Sequence, residues 1–429
     1  MRNLTSRRSF MTKSAMISAL GLSGIADTFG QGLTTAVDNA PKLSAPSDLK
    51  ITDVKVAFLR GGGRMFVKIL TNQDIYGCGE AVDAVGGGYH LAKRFGFFLR
   101  DQSPLNVHRL FEQIRKGGVF GGAQSGMYIA VLTAIETALW DLAGKALNVP
   151  VYQLLGGKFR DRVRVYMDTA LYQNQLPKPE DFAAAAKEAV QMGFTAVKFD
   201  LDQANDPNKY DRWNWTANQA EIQRMYDQMA AARKAVGPNI DICADMHGRY
   251  DLPTAHKAAK ILEPLNLMWL EEPIPAENVE AYAEITRSTS TPICAGENHY
   301  LAHGFRPLLE KNAVDIIMPD LQKAGGLGEG QRIANLAHLY YIPFAPHMVA
   351  SYLGAMAAAH VCASVPNFMI LEWQIYYHKD PMWKEIVTFD GTEFIDKGFL
   401  KVSDKPGIGV DINEEGLKKY AAQGIPFFE

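Results

Sequence analysis

Cysteine is scarce: four residues in 429, at Cys78, Cys243, Cys294 and Cys362, with no CxxC pair. That excludes a disulfide framework and a thiolate zinc cluster. Cys243 and Cys294 fall inside predicted strands, where a free cysteine acts as a small buried hydrophobe. No block of Lys or Arg interrupts a formal net charge of −3, so no nucleic-acid or membrane-surface partner is expected. No GxGxxG follows an early strand, which removes the main support for a doubly wound dinucleotide-binding sheet. The apolar run from Ser14 to Ile25 is shorter than the roughly 20 helical residues that span a bilayer, so no stable membrane anchor is expected.

The composition itself is that of a large globular protein, 47% apolar and 21% charged. At its start, Ser6-Arg7-Arg8-Ser9-Phe10-Met11-Thr12-Lys13 followed by the short apolar run resembles a twin-arginine export signal. Residues 1–47 are therefore read as signal and linker, and the mature protein as periplasmic, a client of the twin-arginine export machinery. That machinery moves folded proteins, which suits an enzyme that takes up its metal before leaving the cytoplasm.

From about Arg164 to Trp373 one pattern recurs: a β-rich apolar run, a loop, then a helical stretch. The predicted strands are 164–170, 196–201, 241–247, 268–273, 292–297, 315–320, 342–347 and 369–373. Eight strands alternating with helices predict a parallel (β/α)8 TIM barrel. The expected division is an α+β capping domain over 48–160, the barrel over 161–375, and a segment over 376–429 that returns to the cap. Within the cap, 49–75 reads as an antiparallel hairpin or meander and 125–147 as a helix.

In such a barrel the chemistry sits at the C-terminal ends of the strands. Three acids occupy equivalent ends, Asp245 in DICADMH, Glu271 in MWLEEP and Glu297 in PICAGE, at intervals of 26 residues. One structural unit separates each from the next, so three carboxylates converge. A hard cation fits them, with Mg²⁺ expected because it takes a few carboxylates and leaves room for substrate oxygens and water.

The motifs ALWDLAGKALNVPVYQLLGG (138–157), DMHGR (245–249), WLEEPIP (269–275), AGEN (295–298), MPDLQKAGG (318–326), APH (345–347) and LEW (371–373) together resemble the enolase superfamily, in its mandelate racemase-like branch. The likeness covers nearly everything from Leu49 to Trp373 and is greatest to acid-sugar dehydratases of the galactonate type. It implies one Mg²⁺ per subunit, held by Asp245, Glu271 and Glu297. It also implies abstraction of the proton beside a substrate carboxylate, through an enediolate, and a homo-oligomer, a dimer or octamer. Glu272 is expected behind the ligands.

His347 and Asp320 end the seventh and sixth strands and read as a general-base dyad, the carboxylate fixing the imidazole tautomer. His247, two residues beyond Asp245, falls on the same strand face by period-two alternation and is assigned to protonate the departing hydroxyl. A fourth metal ligand and a loop-structural histidine are the other readings of it. Glu372, at the end of the eighth strand, corresponds to a family Glu that hydrogen-bonds the substrate carboxylate and must be protonated to do so.

The second strand carries Lys198-Phe199-Asp200 where racemases have Lys-x-Lys. Without the second lysine a two-base racemisation is not expected. Lys198 is assigned to electrostatic stabilisation and Asp200 to a substrate hydroxyl, with a structural ion pair as the alternative for both; Arg249 is a further candidate substrate contact. Asn298 stands where the galactonate enzymes carry Arg. The long segment 202–215, with Tyr210, Trp213 and Trp215, suits a lid or a subunit contact, and glycines 86–88 with Tyr89 suit a mobile cap. The expected reaction is dehydration of an aldonate or aldarate to a 2-keto-3-deoxy acid. Isomerisation, cycloisomerisation or epimerisation through the same enediolate is the second reading. An exported binding protein without catalysis is the third.

Overall fold

The computed structural model describes residues 48–61, 63–84, 87–171, 176–209, 211 and 213–429. The expected export signal, Gly86 and Tyr210 lie outside these residues. The described chain opens with β1 (Ile51–Phe58), β2 (Arg64–Thr71) and β3 (Tyr76–Val82), an antiparallel meander in that order. Helix Gly126–Leu147 lies against β3 at close range. A Cβ at Gly77 or Gly79 would stand 2.0 Å from the carbonyl oxygen of Ala138 or Ala134, so only glycine permits this approach. The helix is apolar and long enough to cross a membrane, but it is buried as the core of the cap.

The barrel runs through β4 (Arg162–Asp168), β5 (Ala196–Asp200), β6 (Asp241–Asp245), β7 (Trp269–Glu271), β8 (Ile293–Ala295) and β9 (Ile316–Ile317), all parallel. Single bridges then join Ile317 to Phe344 and Phe344 to Phe368, and β10 (Leu371–Gln374) pairs back onto β4. The ring closes with eight positions, the seventh reduced to the bridge at Phe344.

Inside the ring, Tyr166, Ala196, Cys243, Trp269, Cys294, Met318, Ala345 and Ile370 form an apolar plug, one side chain per position, joined by Ile316 at the sixth. Tyr166 meets Trp269 edge-on at 5.4 Å, a contact worth about 0.5–1.5 kcal/mol beyond its burial. The two strand cysteines are free and buried, in keeping with their role as small hydrophobes. Two residues further along, alternation returns the chain to the inside: Asp168, Lys198, Asp245, Glu271, Gly296, Asp320, His347 and Glu372. A charged layer therefore rests directly on an apolar plug.

Several strands are shorter than expected because the backbone leaves the ladder as soon as this charged layer is reached. Glu272 has φ 35° and His247 φ 48°, both left-handed. The strand does not extend to His247, so alternation is not what orients it. A turn does so, in which the His247 N–H donates to Asp245 Oδ1 at 2.8 Å.

Two buried cap carboxylates hold the cap on the barrel. Glu136 accepts from the Leu327 and Gly328 N–H groups at 2.8 Å each, at the start of helix Leu327–Leu339. Glu80 accepts from the Ser351 and Gly354 N–H groups at 2.8 and 3.1 Å, at the start of helix Tyr352–Ser364. Both use helix N-termini, where unpaired N–H groups favour an anion. The tail continues the cap sheet's edge: Ala422 N–H donates to Phe58 O at 2.8 Å and Phe428 N–H to Val56 O at 2.7 Å.

Candidate active site

The charged layer holds an excess of buried acid. Asp168, Asp200, Asp245, Glu271, Glu272, Asp320 and Glu372 are all 5% exposed or less. Asp245 and Glu271 stand side by side in register. Glu297 reaches the same layer by a different route. Gly296 takes φ 146°, and a Cβ there would meet Phe305 at 2.8 Å and the Met318 backbone at 3.0 Å. The glycine steps the chain by one residue, so that Glu297 rather than residue 296 turns inward.

Lys198 Nζ lies 3.1 Å from Asp245, 3.1 Å from Glu271 and 3.0 Å from Glu372. Burial alone would lower its pKa, but Glu271 and Glu372 outweigh that and raise it well above the ordinary lysine value. Lys198 is thus an ammonium held among three carboxylates, suited to electrostatic work. Glu297 pairs instead with His347 Nε2 at 2.9 Å.

Lys198 and His347 thus each pair with oxygens of the three expected ligands. The tightest group of potential ligand atoms among the described residues is Asp200, Asp245 and His247, mutually within 4.8 Å. Both oxygens of Asp200 are buried without a hydrogen-bond partner. Burial, then Asp168, push its pKa well above the ordinary range. The carboxylates of this layer, with the orphaned oxygens of Asp200 among them, are oxygen donors that fit a hard divalent cation. Mg²⁺ is such a cation, and the residues present fit it.

On one side of this cluster, His347 Nδ1 lies 2.7 Å from Asp320 Oδ2, with Nε2 3.6 Å from Glu372. Burial lowers the His347 pKa, yet Glu372 and Glu297 more than reverse this and hold it well above the ordinary imidazole value. Glu372 accepts from Met348 N–H at 3.0 Å, Gln374 Nε2 at 2.8 Å and Lys198. All three partners are donors, so Glu372 is set as an acceptor here, and the donor role expected of it requires a proton.

On the other side, His247 Nδ1 lies 2.8 Å from Asp202 Oδ1, and Nε2 3.7 Å from Asp245 and 3.9 Å from Asp200. Burial opposes protonation, but Asp245 and Asp202 push its pKa up to about 12. Arg249 does not point into the acid layer. Its Nε lies 2.6 Å from Asp202 Oδ2, and its guanidinium sits 5.2 Å from the Trp215 ring.

Described residues of the 202–215 segment are fastened down: Asp206 pairs with Arg224 at 2.5 Å, Lys209 with Glu221 at 2.8 Å, and Lys209 lies 4.2 Å over Trp215. Of these residues Asp202 lies against His247, and Trp213 is exposed. Tyr89 sits in the first turn of helix Gly88–Leu99 and is half-buried against the cap core. Glu272 accepts from Asn298 Nδ2 at 2.6 Å and from Gly296 N–H at 3.3 Å, which ties down the loop that carries Glu297. Burial, then Glu297, push the Glu272 pKa up to about 7. Asn298 Nδ2 also donates to Glu297 at 3.1 Å.

Three residues of the site escape a reading of strand ends. Asp168 lies two residues past the plug residue Tyr166, and that spacing is its signal. It accepts from Gln374 at 2.9 Å, and burial pushes its pKa up to about 6 against the opposing effect of Lys198. Lys323, in MPDLQKAGG, bonds Asp83 of the cap at 2.8 Å. Asp202 reads in the sequence as the first residue of a loop, although the Asp-x-Asp spacing from Asp200 points to it. A cavity of about 820 Å³ reaches the edge of the site at His247 and Glu272, and is lined also by Asn298 and His299 from the barrel and Arg115 and Gln124 from the cap.

A closed barrel with acids on its third to fifth strand ends, under an α+β cap, defines a class that the comparisons identify. Residues 33–156 match the mandelate racemase/muconate lactonizing enzyme N-terminal domain, and residues 181–416 the enolase C-terminal domain-like family. The chain belongs to the mandelate racemase/muconate lactonizing enzyme family of the enolase superfamily.

It is 38% identical to a D-xylonate dehydratase from Haloferax volcanii over 89% of this chain and 91% of that protein. It is 31% identical to a D-galactonate dehydratase from Variovorax paradoxus, over 82% of this chain and 90% of that protein. Among solved structures, a mandelate racemase/muconate lactonizing enzyme-like protein from Rubrobacter xylanophilus superposes with TM-score 0.84 at 43% identity, covering 89% of this chain and all of that one. A 3,6-anhydro-D-galactonate cycloisomerase from Zobellia galactanivorans superposes with TM-score 0.76 at 28% identity, covering 87% and 99%.

Proposed function

We propose that this enzyme is a Mg²⁺-dependent sugar-acid dehydratase that converts an aldonate or aldarate to its 2-keto-3-deoxy acid. One observation carries the reading. Two imidazoles, each tied to its own carboxylate, stand at the third and seventh positions of an eight-position ring, on opposite sides of one buried acid cluster. Elimination of water needs a group that takes a proton from C2 and another that gives one to the oxygen leaving C3. The dehydratase names of the relatives support the same hydro-lyase class.

Asp245, Glu271 and Glu297 would hold the ion, with Asp200 beside Asp245. When bound, Mg²⁺ supplies the positive charge that a carboxylate substrate and its enediolate need. His347 takes the C2 proton on Nε2, with Asp320 fixing the tautomer through Nδ1. Lys198 balances the negative charge that builds at C1. His247 hands its Nε2 proton to the C3 hydroxyl, which leaves as water, and the resulting enol becomes the ketone by protonation at C3. The Ser6–Lys13 pattern supports placing this reaction in the periplasm.

The cycloisomerase among the similar structures keeps a second reading in view, in which an oxygen within the substrate is the leaving group. The test is a screen of purified protein with Mg²⁺ against aldonates and aldarates, D-xylonate first, for α-keto acid formation. Turnover that disappears with chelator and returns with Mg²⁺ is expected. An α-keto acid product isomeric with its substrate, formed with no loss of water, would favour the second reading.

A further inference from the structure

Asp202 stands outside every catalytic assignment made from strand ends, yet it makes two short contacts at the edge of the site. Its Oδ1 lies 2.8 Å from His247 Nδ1, and its Oδ2 lies 2.6 Å from Arg249 Nε. Its side chain is 7% exposed, whereas that of Arg249 is 52% exposed. Arg249 therefore backs the carboxylate from the solvent side, and Trp215 lies 5.2 Å behind the guanidinium. Trp215 in turn packs edge-on against Tyr250 at 5.3 Å and under Lys209.

We propose that Asp202 is a positioning residue for the water-loss half of the reaction: it fixes the His247 ring so that Nε2, not Nδ1, faces the substrate. The inference rests on the dehydratase reading above. His247 sits on a left-handed turn just past the end of its strand, so backbone regularity does not orient its ring. An imidazole on such a turn has two ring flips open to it, and a hydrogen bond from one nitrogen to a carboxylate selects between them. The arrangement repeats that of His347 with Asp320 on the opposite side, where the same nitrogen meets a carboxylate at 2.7 Å. The ion pairs of segment 202–215 and the Trp215 stack thereby hold Asp202 and Arg249 in place behind His247. Arg249 becomes part of that support instead of a substrate contact.

The proton accounting separates the two halves. His347 breaks the C2–H bond, and the electron pair passes into the C1–C2 bond. His247 supplies the proton with which the C3 oxygen departs as water, and no oxidant or reductant is needed. Loss of Asp202 should slow the second half and leave the first intact, so the carbanionic intermediate returns to substrate and picks up solvent deuterium at C2.

The experiment measures, in D₂O with Mg²⁺, both keto-acid formation and deuterium at C2 of recovered substrate for the whole enzyme and its variants. For Asp202→Ala, dehydration is expected to fall about 10²-fold, the scale of a misplaced general acid, while C2 exchange persists. The ratio of exchange to dehydration then rises at least ~10-fold. Asp202→Asn, which keeps an oxygen for the His247 Nδ1–H, should restore part of kcat at unchanged KM.

If both half-reactions fall together and the ratio stays at the wild-type value, Asp202 is merely structural and the proposal is overturned. Should Asp202→Ala fail to fold, the ratio in Asp202→Asn decides alone, by the same criterion. A wild-type enzyme that dehydrates no sugar acid overturns the reaction itself, which is a different outcome from an active wild type with an unchanged ratio.

Discussion

His347 Nδ1 and Asp320 Oδ2 lie 2.7 Å apart, although the two residues come from different barrel positions, 27 residues apart in sequence. The contact leaves Nε2 as the nitrogen that faces the acid cluster. It sets the direction in which a proton can be taken, and it bears directly on the first prediction.

His347→Ala should lose at least ~10²-fold in kcat, and Asp320→Asn should lose less with KM little changed, because the base remains but its tautomer is no longer fixed. Both variants should also lose C2 deuterium exchange, unlike Asp202→Ala. Keto-acid assays and exchange measured on the same samples check this; full exchange in His347→Ala would remove it from the role of base.

Gly296→Ala tests the step that brings Glu297 inward. At φ 146° with Phe305 2.8 Å away, the added methyl has neither the conformation nor the room. Strain of this kind costs on the order of 1–3 kcal/mol, and relief of it moves Glu297. Thermal denaturation and Mg²⁺ titration should show a lower Tm together with weaker Mg²⁺ binding. Wild-type Mg²⁺ affinity in a destabilised variant would separate Glu297 from the metal.

Acid should loosen the junction at His360. This buried residue accepts from Tyr152 N–H of the cap at 3.1 Å and donates to Ile408 O of the tail at 3.0 Å, an arrangement that needs the neutral ring. Burial pushes its pKa down to about 4 from the ordinary 6.5. The folded value is the lower one, so the unfolded chain binds the proton more readily between the two. Stability from this group is fully present above pH 6.5 and is lost as pH falls towards 4, on the order of 3 kcal/mol in total. Tm measured from about pH 7.5 to about pH 4.5 should decline in the wild type and decline less in His360→Gln. Equal slopes would show that other groups govern acid stability.

Export can be tested at Arg7 and Arg8. Replacing both by Lys keeps the charge but should leave the protein in the cytoplasm, because twin-arginine signals are read by a receptor and not by charge alone. Fractionation of cells producing each form checks this; unchanged periplasmic protein would set the reading aside.

Most of the barrel is legible in the sequence because apolar strand segments and helical stretches alternate eight times, and side chains along each strand alternate with a period of two. The same arithmetic that makes Cys243 and Trp269 plug residues makes Asp245 and Glu271 their inward neighbours above. It extends to Asp168 past Tyr166. It is blind to how Glu297 turns inward, since that residue is out of phase and depends on the backbone at Gly296. It reaches His247 for the wrong reason, because a left-handed turn, not strand alternation, carries that side chain.

By itself the sequence determined the eight-fold pattern, the excess of acid at strand ends and the Asp320/His347 candidates, because each is a matter of residue type at regular spacing. Only the tertiary structure decided which groups share protons and charge. Lys198 lies among Asp245, Glu271 and Glu372, Asp202 stands behind His247, and Glu80 and Glu136 hold the cap over the barrel. Those relationships depend on where separate strands and loops meet in space, which residue spacing along one chain does not encode.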